Sequence, residues 1–154
     1  MQNKVIDILL IEDDFDDAEL TIHALNKVHL GNRIIHIDDG EKALDFLYSS
    51  HQSPALILLD LKMPRVDGVQ ILRKLKGDPA KENIPVVALL SSKDGINYLE
   101  SFDVRADAYV IKPVDYNKFC IAVSEIGLSS IIFRHSENST EAADAAASKD
   151  LGKK

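Results

Sequence analysis

Polar side chains that could bind a cation and a phosphoryl group follow several apolar runs of the sequence. Glu12 and Asp13 come directly after one run, and Asp60 ends another. A third run is followed by a pair of serines, and a fourth by Lys112. Mg²⁺ prefers carboxylate and phosphate oxygens, a carboxylate can accept an activated phosphoryl group, and a lysine ammonium suits a phosphate oxygen. These residue types together predict a site for Mg²⁺ and a phosphoryl group.

The segment "LLIEDDFDD" crowds five carboxylates into six residues directly after an apolar run. Two carboxylates about 4 Å apart repel by about 4 kcal/mol at an effective dielectric constant of about 20. A divalent cation would relieve this repulsion, and without one the pKa of one carboxyl must rise. We predict that Glu12 and Asp13 face the cation. The other three acids are expected to cap the first turn of a helix or to face solvent: Asp14, Asp16 and Asp17.

Short apolar runs alternate with amphipathic stretches of helical length along most of the chain. The predicted strands are 5–11, 33–37, 55–60, 85–90 and 108–112. The predicted helices are 15–28, 41–49, 68–76, 96–104 and 116–126, and Asp67 and Asp115 stand where helix N-caps belong. This alternation predicts an α/β fold with a mostly parallel sheet. Because such folds bind ligands at the carboxyl ends of their strands, we expect the polar residues to meet there.

Composition limits the classes of function that the chain could have. Its 154 residues are 45% hydrophobic, enough for one domain with a core. The net charge of −7 argues against binding to nucleic acid, which needs a basic surface. The single cysteine, the lack of a signal peptide and the lack of a long apolar run predict a cytoplasmic protein without a membrane segment. The polar, alanine-rich segment 135–154 is expected to be a disordered tail.

Four segments occur in a specific order and spacing: "ILLIEDD", "LILLDLKMPRVDG", "IPVVAL" and "AYVIKP". In this arrangement the chain resembles the receiver domains of two-component response regulators over roughly residues 4–127. The segment "DDGEKALDFLY" and the extension 128–134 look closest to small single-domain regulators associated with bacterial phytochromes. The resemblance implies a doubly wound, five-stranded parallel sheet in the flavodoxin-like order 2-1-3-4-5, with helices on both faces.

The resemblance also implies a role for each residue of the site. Asp60 would be the phosphoacceptor, and Lys112 would bind the phosphoryl group and form a cis peptide bond with Pro113. Tyr109 would be the aromatic switch residue. The residues that would hold Mg²⁺ are Glu12, Asp13, Asp60 and Lys62, the last through its backbone carbonyl.

Leu90 departs from the family pattern. It follows Asp60 by 30 residues and precedes Lys112 by 22, the position where receiver domains normally have Thr or Ser. Leucine cannot donate a hydrogen bond, and neighbouring Ser91 should point to the opposite face of the strand. We therefore expect that Asp60 can be phosphorylated while coupling to the Tyr109 switch is weakened or rerouted. The alternative is a pseudo-receiver, an interaction module that does not cycle through phosphorylation.

The sequence thus predicts a single-domain response regulator, with a receiver domain over 1–134 and no output domain. Its expected partners are a sensor histidine kinase, such as a phytochrome-like one, or a phosphotransfer protein, and a downstream protein target. The apolar extension 128–133 would be awkward in solvent and is expected to pack with the last helix in a homodimer. The chain is not expected to be an enzyme beyond its own phosphoryl transfer and dephosphorylation. A Mg²⁺-dependent phosphatase or phosphotransferase on small molecules would need a substrate pocket that the sequence does not indicate.

Overall fold

Strands and helices alternate through the computed structural model, which describes residues 8–27, 33–49 and 53–127. The strands are β1 (Ile8–Ile11), β2 (Ile34–Ile37), β3 (Leu56–Asp60), β4 (Val86–Leu90) and β5 (Ala108–Ile111). The helices are α1 (Phe15–Asn26), α2 (Gly40–Ser49), α3 (Gly68–Lys76), α4 (Asp94–Glu100) and α5 (Tyr116–Glu125). The predicted extension 128–134 and tail 135–154 lie outside the described residues. Within the described ranges, no helix has the length and apolar character needed to cross a membrane.

The strands form one parallel sheet in the order β2-β1-β3-β4-β5, which confirms the predicted flavodoxin-like topology. Strands β1, β3 and β4 are buried along their whole length, as expected for parallel strands covered by helices on both faces. Strand β2 lies on one side of β1, and β3 lies on the other. The direction in which successive strands are added to the sheet therefore reverses between β1 and β3. In open α/β sheets this switch point opens a crevice at the carboxyl ends of the strands.

Two apolar clusters, one on each face of the sheet, hold the helices in place. Helices α2, α3 and α4 cover one face, where Leu47, Leu72 and Leu99 are buried. Helices α1 and α5 cover the other face, where Leu25 and Phe119 are buried. Each such side chain stabilises the fold by roughly 1.5–3 kcal/mol. The sheet is therefore a rigid platform for the loops at its carboxyl edge.

Helix α4 differs from its predicted bounds, whereas the other helices begin and end within two residues of theirs. The sequence predicted a helix over 96–104, but α4 spans Asp94–Glu100. After a short turn, Asp103 adopts φ 60°, a left-handed conformation that Asp tolerates better than most residues and that ends the helical path. Val104, the predicted last residue of the helix, is buried but belongs to the connection to β5. The predicted N-caps Asp67 and Asp115 are confirmed, since each accepts a hydrogen bond from a backbone amide in the first turn.

Candidate functional site

Three carboxyl groups meet at the carboxyl edge of the sheet. Glu12, Asp13 and Asp60 each offer an oxygen, and these oxygens lie within 4.8 Å of one another. Glu12 follows β1 and Asp60 ends β3, and these strands are neighbours in the parallel register. Glu12 is 0% exposed and Asp60 is 4% exposed, while Asp13 is half-buried. Buried carboxylates this close together need a cation or a proton to offset their charge.

The loop after Asp60 is closed by the start of α3. The Asp67 side chain accepts a hydrogen bond from the Gln70 amide, and the Gln70 side chain accepts one from the Asp67 amide. The Gly68 amide donates to the Leu61 carbonyl at 2.9 Å. A Cβ at Gly68 would lie 2.5 Å from the Leu61 Cα, so only glycine fits. The capping box and this close approach fix the backbone beside Asp60.

The middle of the same loop is held by side chains from two elements. The Lys62 amide donates to Asp60 Oδ1 at 3.3 Å, and the Lys62 ammonium lies 5.8 Å from the centroid of the Tyr98 ring. Arg65 adopts φ 60° and forms an ion pair with Asp39, just before α2. The loop is therefore fixed against α2 and α4 as well as α3.

Lys112 reaches the carboxyl groups from the end of β5. Its ammonium nitrogen lies 2.9 Å from Asp17 Oδ2, 3.3 Å from Glu12 Oε1 and 3.4 Å from Asp60 Oδ1. Burial disfavours its charge, but the hydrogen bond to Asp17 and the charges of Asp60 and Glu12 outweigh this and raise its pKa. The lysine is therefore a fixed positive charge in the site. Its peptide bond to Pro113 is cis, as predicted.

Asp17 corrects the prediction made for the acidic run. The sequence analysis assigned it to capping or solvent, whereas its side chain contacts Lys112. Asp14 does cap α1, since its Oδ1 accepts from the Asp17 amide at 2.9 Å, and Asp16 is exposed. The first turn of α1 begins just after the acidic pair, which brings Asp17 over the site. The position of Asp17 in the first helical turn after the acidic pair was the feature of the sequence that could have indicated this contact.

His36 is a second residue that the sequence analysis did not connect with the site. Its Nε2 lies 2.8 Å from the backbone carbonyl oxygen of Glu12, so this nitrogen must carry the proton that is donated. Its ring also packs edge-on against Phe15, with 6.0 Å between the centroids. His36 thus ties β2 to the loop that carries the acidic pair. Its signal in the sequence was that it is the one polar residue of strand β2, "IIHI".

The pKa of Glu12 shows how the carboxyl cluster balances its charge without a cation. Burial, and then the hydrogen bond and charge of Asp60, raise the Glu12 pKa to about 8. Burial also raises the pKa of Asp60. At neutral pH the cation-free site therefore holds a proton on Glu12. A divalent cation would have to displace that proton, which makes its binding tighter at higher pH.

We expect the cation-free protein to lose stability as the pH rises. The folded state holds the Glu12 proton up to about pH 8, whereas the unfolded chain loses it near the ordinary glutamate pKa of 4.5. The folded state therefore binds more protons, and the free energy of unfolding falls by up to ~1.4 kcal/mol per pH unit in this window. Urea unfolding with a chelator at a series of pH values measures the slope.

A glutamine substitution tests whether Glu12 is the source of this slope. Glu12→Gln should flatten it, because glutamine does not titrate, and saturating Mg²⁺ should flatten it in the parent. Glu19 is an exposed glutamate on α1, so Glu19→Gln serves as the control that keeps the slope. A slope that survives Glu12→Gln would show that another group carries the proton.

Leu90 lies near Asp60, at the position where receiver domains normally have the hydroxyl group of Thr or Ser. It is 1% exposed, and a Cβ at Gly95 would lie 2.8 Å from its Cδ2 atom. Leu90 therefore packs tightly against the start of α4. A cavity of about 420 Å³ adjoins this contact; its lining includes Asp60, Lys62, Leu90, Ser91, Ser92 and Tyr98.

Tyr109, the predicted switch residue, lies on β5 with its ring directed towards the core. It is half-buried against the cluster that also contains Leu90. Its hydroxyl accepts a hydrogen bond from the Ala106 amide at 3.4 Å. The two residues therefore share one apolar cluster, through which a change at β4 could reach β5.

Comparison with known proteins gives consistent matches. The family model described as the response regulator receiver domain matches residues 8–124. The probable methanogenesis regulatory protein FilR2 of Methanothrix harundinacea is 32% identical over 123 residues, which cover 77% of this chain and 79% of that protein. The response regulator Rcp1 of Synechocystis is 34% identical over 110 residues, covering 68% of this chain and 75% of that protein.

Solved structures give the same assignment. The structure of the bacteriophytochrome response regulator AtBRR superimposes with a TM-score of 0.76 at 39% identity, over 81% of this chain and 94% of that chain. The Mn²⁺-bound form of Rcp1 superimposes with a TM-score of 0.62 at 29% identity, over 82% of this chain and 93% of that chain. The second of these neighbours holds a divalent cation.

Proposed function

This chain belongs to the family of response regulator receiver domains, the signalling modules of two-component systems, and we propose that it is switched by phosphorylation of Asp60. A histidine kinase or a phosphotransfer protein supplies the group. A carboxylate oxygen of Asp60 forms a bond to phosphorus, and the bond from phosphorus to the donor's histidine nitrogen breaks. The observation that carries the proposal is the position of Asp60, between two acids and the Lys112 ammonium at one edge of the sheet.

The donor set around Asp60 fits a divalent cation. Receiver domains bind Mg²⁺ through acidic residues, and here three carboxyl oxygens lie within 4.8 Å of one another. Without a cation, Glu12 keeps a proton, and a divalent cation could take the place of that proton. We assign the site to Glu12, Asp13, Asp60 and the backbone carbonyl of Lys62. When bound, Mg²⁺ would offset negative charge on the transferred group.

The chain's own residues position the reacting atoms. The Lys112 ammonium lies 3.4 Å from Asp60 Oδ1 and can donate to a phosphoryl oxygen, a charge-assisted hydrogen bond. The Lys62 amide donates to Asp60 Oδ1 and so fixes the orientation of the carboxylate. Helices on both faces and the adjoining loops keep the acceptor nearly free of water. Such preorganisation is the protein's main contribution to phosphoryl transfer.

A small phosphoryl donor tests the proposal. In the presence of Mg²⁺, the protein should gain the mass of one phosphoryl group in a bond that survives acid and breaks in base, as an acyl phosphate does. A chelator should suppress the gain, and peptide mapping should place it on Asp60. A protein that gains no phosphoryl group from either a small donor or a histidine kinase would overturn the proposal.

A pseudo-receiver is the second candidate, and Leu90 is the observation that favours it. Leu90 offers no hydroxyl where the family normally has one, and its side chain is packed against α4. In that case the domain would bind its partners without cycling through phosphorylation. The same phosphorylation assay separates the two candidates. Turnover of a free phosphorylated substrate would instead indicate an enzyme.

The proposed signal passes from Asp60 to a partner through protein contacts. Strands β4 and β5, which carry Leu90 and Tyr109, form the element that a phosphoryl group would bias, together with Ser91 just after β4 and helices α4 and α5. A phytochrome-like sensor kinase is the proposed donor, because the structural neighbours include a bacteriophytochrome response regulator. The proposed receiver domain spans 1–134, and a downstream protein would recognise its phosphorylated state.

We further propose a homodimer that uses α5 and the extension 128–133. Helix α5 exposes Ile121, which is 59% accessible, and Tyr116, which is 49% accessible. Ile121→Glu should weaken dimerisation at least about tenfold, because a charge in an apolar contact costs more than ~1.4 kcal/mol. Leu20→Glu, at a similarly exposed leucine on α1, should leave it unchanged. Sedimentation equilibrium measures both, and a monomeric parent at high concentration would contradict the dimer.

A further inference from the structure

The Lys112 ammonium has no spare hydrogen-bond donor in this structure. An ammonium carries three N–H groups, and three carboxyl groups lie within 3.4 Å of the Lys112 nitrogen. The shortest of these contacts, at 2.9 Å, is to Asp17 and not to Asp60. An oxygen of a phosphoryl group on Asp60 would add a further acceptor. One of the present contacts must then weaken.

Asp17 is the partner that can be released at the lowest cost. Its side chain is 37% exposed, against 0% for Glu12 and 5% for Asp60, so water can solvate the freed carboxylate. Ion pairs of this exposed kind contribute little to stability, because water screens their charges. Release of the Glu12 carboxyl group would cost more, because it is buried and water cannot replace the ammonium there. Lys112 is thus free to exchange Asp17 for a stronger anion.

We propose that Asp17 is a positioning residue that holds Lys112 in the resting state and competes with a phosphoryl group on Asp60 for its ammonium. The proposal rests on the proposed function of Asp60 and adds a residue to it. Asp17 would therefore influence the equilibrium between the resting state and the phosphorylated state. Removal of its charge should therefore favour binding of a phosphoryl group or of a mimic.

Beryllium fluoride with Mg²⁺ is the probe, because it coordinates a carboxylate oxygen and presents fluorine atoms in place of phosphoryl oxygens. Asp17→Asn should bind it roughly two- to fivefold more tightly than the parent, the fold-change that matches the strength of an exposed ion pair. Asp16→Asn removes the same charge from the same helical turn, at a side chain that faces solvent, and should change the affinity little. In a Lys112→Met background the difference between the two variants should disappear.

The ¹⁵N NMR signal of the Lys112 ammonium gives a second readout that a merely structural role would not move. It should be sharp in the parent and in Asp16→Asn, and broadened by exchange with water in Asp17→Asn. If Asp17→Asn and Asp16→Asn bind the probe equally, or if Asp17→Asn binds it more weakly, the competition is refuted. A parent that does not bind the probe at all would instead contradict the proposed function of Asp60.

Discussion

Replacement of Asp60 by asparagine is expected to abolish phosphoryl uptake and, at the same time, to stabilise the cation-free protein. Asparagine keeps the shape of the side chain but has no carboxylate oxygen to attack phosphorus. Because burial raises the pKa of Asp60, its ionised form is disfavoured in the folded protein relative to water. The neutral side chain removes this penalty. We expect the free energy of unfolding of the cation-free protein to be higher for Asp60→Asn than for the parent at neutral pH.

Intact-mass measurement after acid quenching follows uptake, and urea unfolding with a chelator follows stability. Asp45→Asn is the matched control, since Asp45 is exposed in the middle of α2 and should keep both properties. Mg²⁺ should stabilise the parent and Asp45→Asn, but Asp60→Asn much less, because one proposed ligand is lost. Phosphoryl uptake by Asp60→Asn at the parent's rate would place the acceptor on another residue.

The fold follows from the sequence because its three central strands, β1, β3 and β4, are buried on both faces. Continuous apolar runs such as Leu56–Leu59 indicate parallel strands under two helical layers, and only a few topologies satisfy that pattern. The predicted end of α4 was wrong because of the local backbone conformation. Val104 continues an apolar pattern, but the left-handed conformation of Asp103 turns the chain before it, and hydrophobic periodicity does not record backbone conformation.

The meeting of Glu12, Asp60 and Lys112 could be predicted because parallel strands bring their carboxyl ends to one edge. That rule places residues at strand ends and says nothing of side chains that reach the edge from elsewhere. Asp17 arrives from the first turn of α1, and His36 reaches across from β2 to a backbone carbonyl. Both contacts depend on side-chain direction and on the angle at which α1 leaves the sheet. Neither quantity can be read from residue spacing.

Replacement of Leu90 by threonine is expected to increase the structural response to phosphorylation at some cost in stability. Loss of the leucine methyl groups opens space beside Gly95 and should destabilise the protein by about 1–3 kcal/mol. The new hydroxyl stands at the end of β4, next to the cavity that borders Asp60. A hydrogen bond from it to a phosphoryl oxygen is worth about 1.5–3 kcal/mol, and it exists in the phosphorylated state alone. It should therefore shift the switch equilibrium roughly 10- to 100-fold.

Leu90→Val separates the hydroxyl from the change in size, because valine has nearly the shape of threonine and no donor. Both variants should show a similar loss of stability in urea. On addition of beryllium fluoride and Mg²⁺, NMR shifts in α4 and at Tyr109 should grow in Leu90→Thr and remain as in the parent in Leu90→Val. If threonine and valine respond alike, Leu90 acts through its packing against α4, and the signal leaves Asp60 by another route. The contact between Lys62 and Tyr98 would then be the connection to examine, since it already links the loop after Asp60 to the same helix.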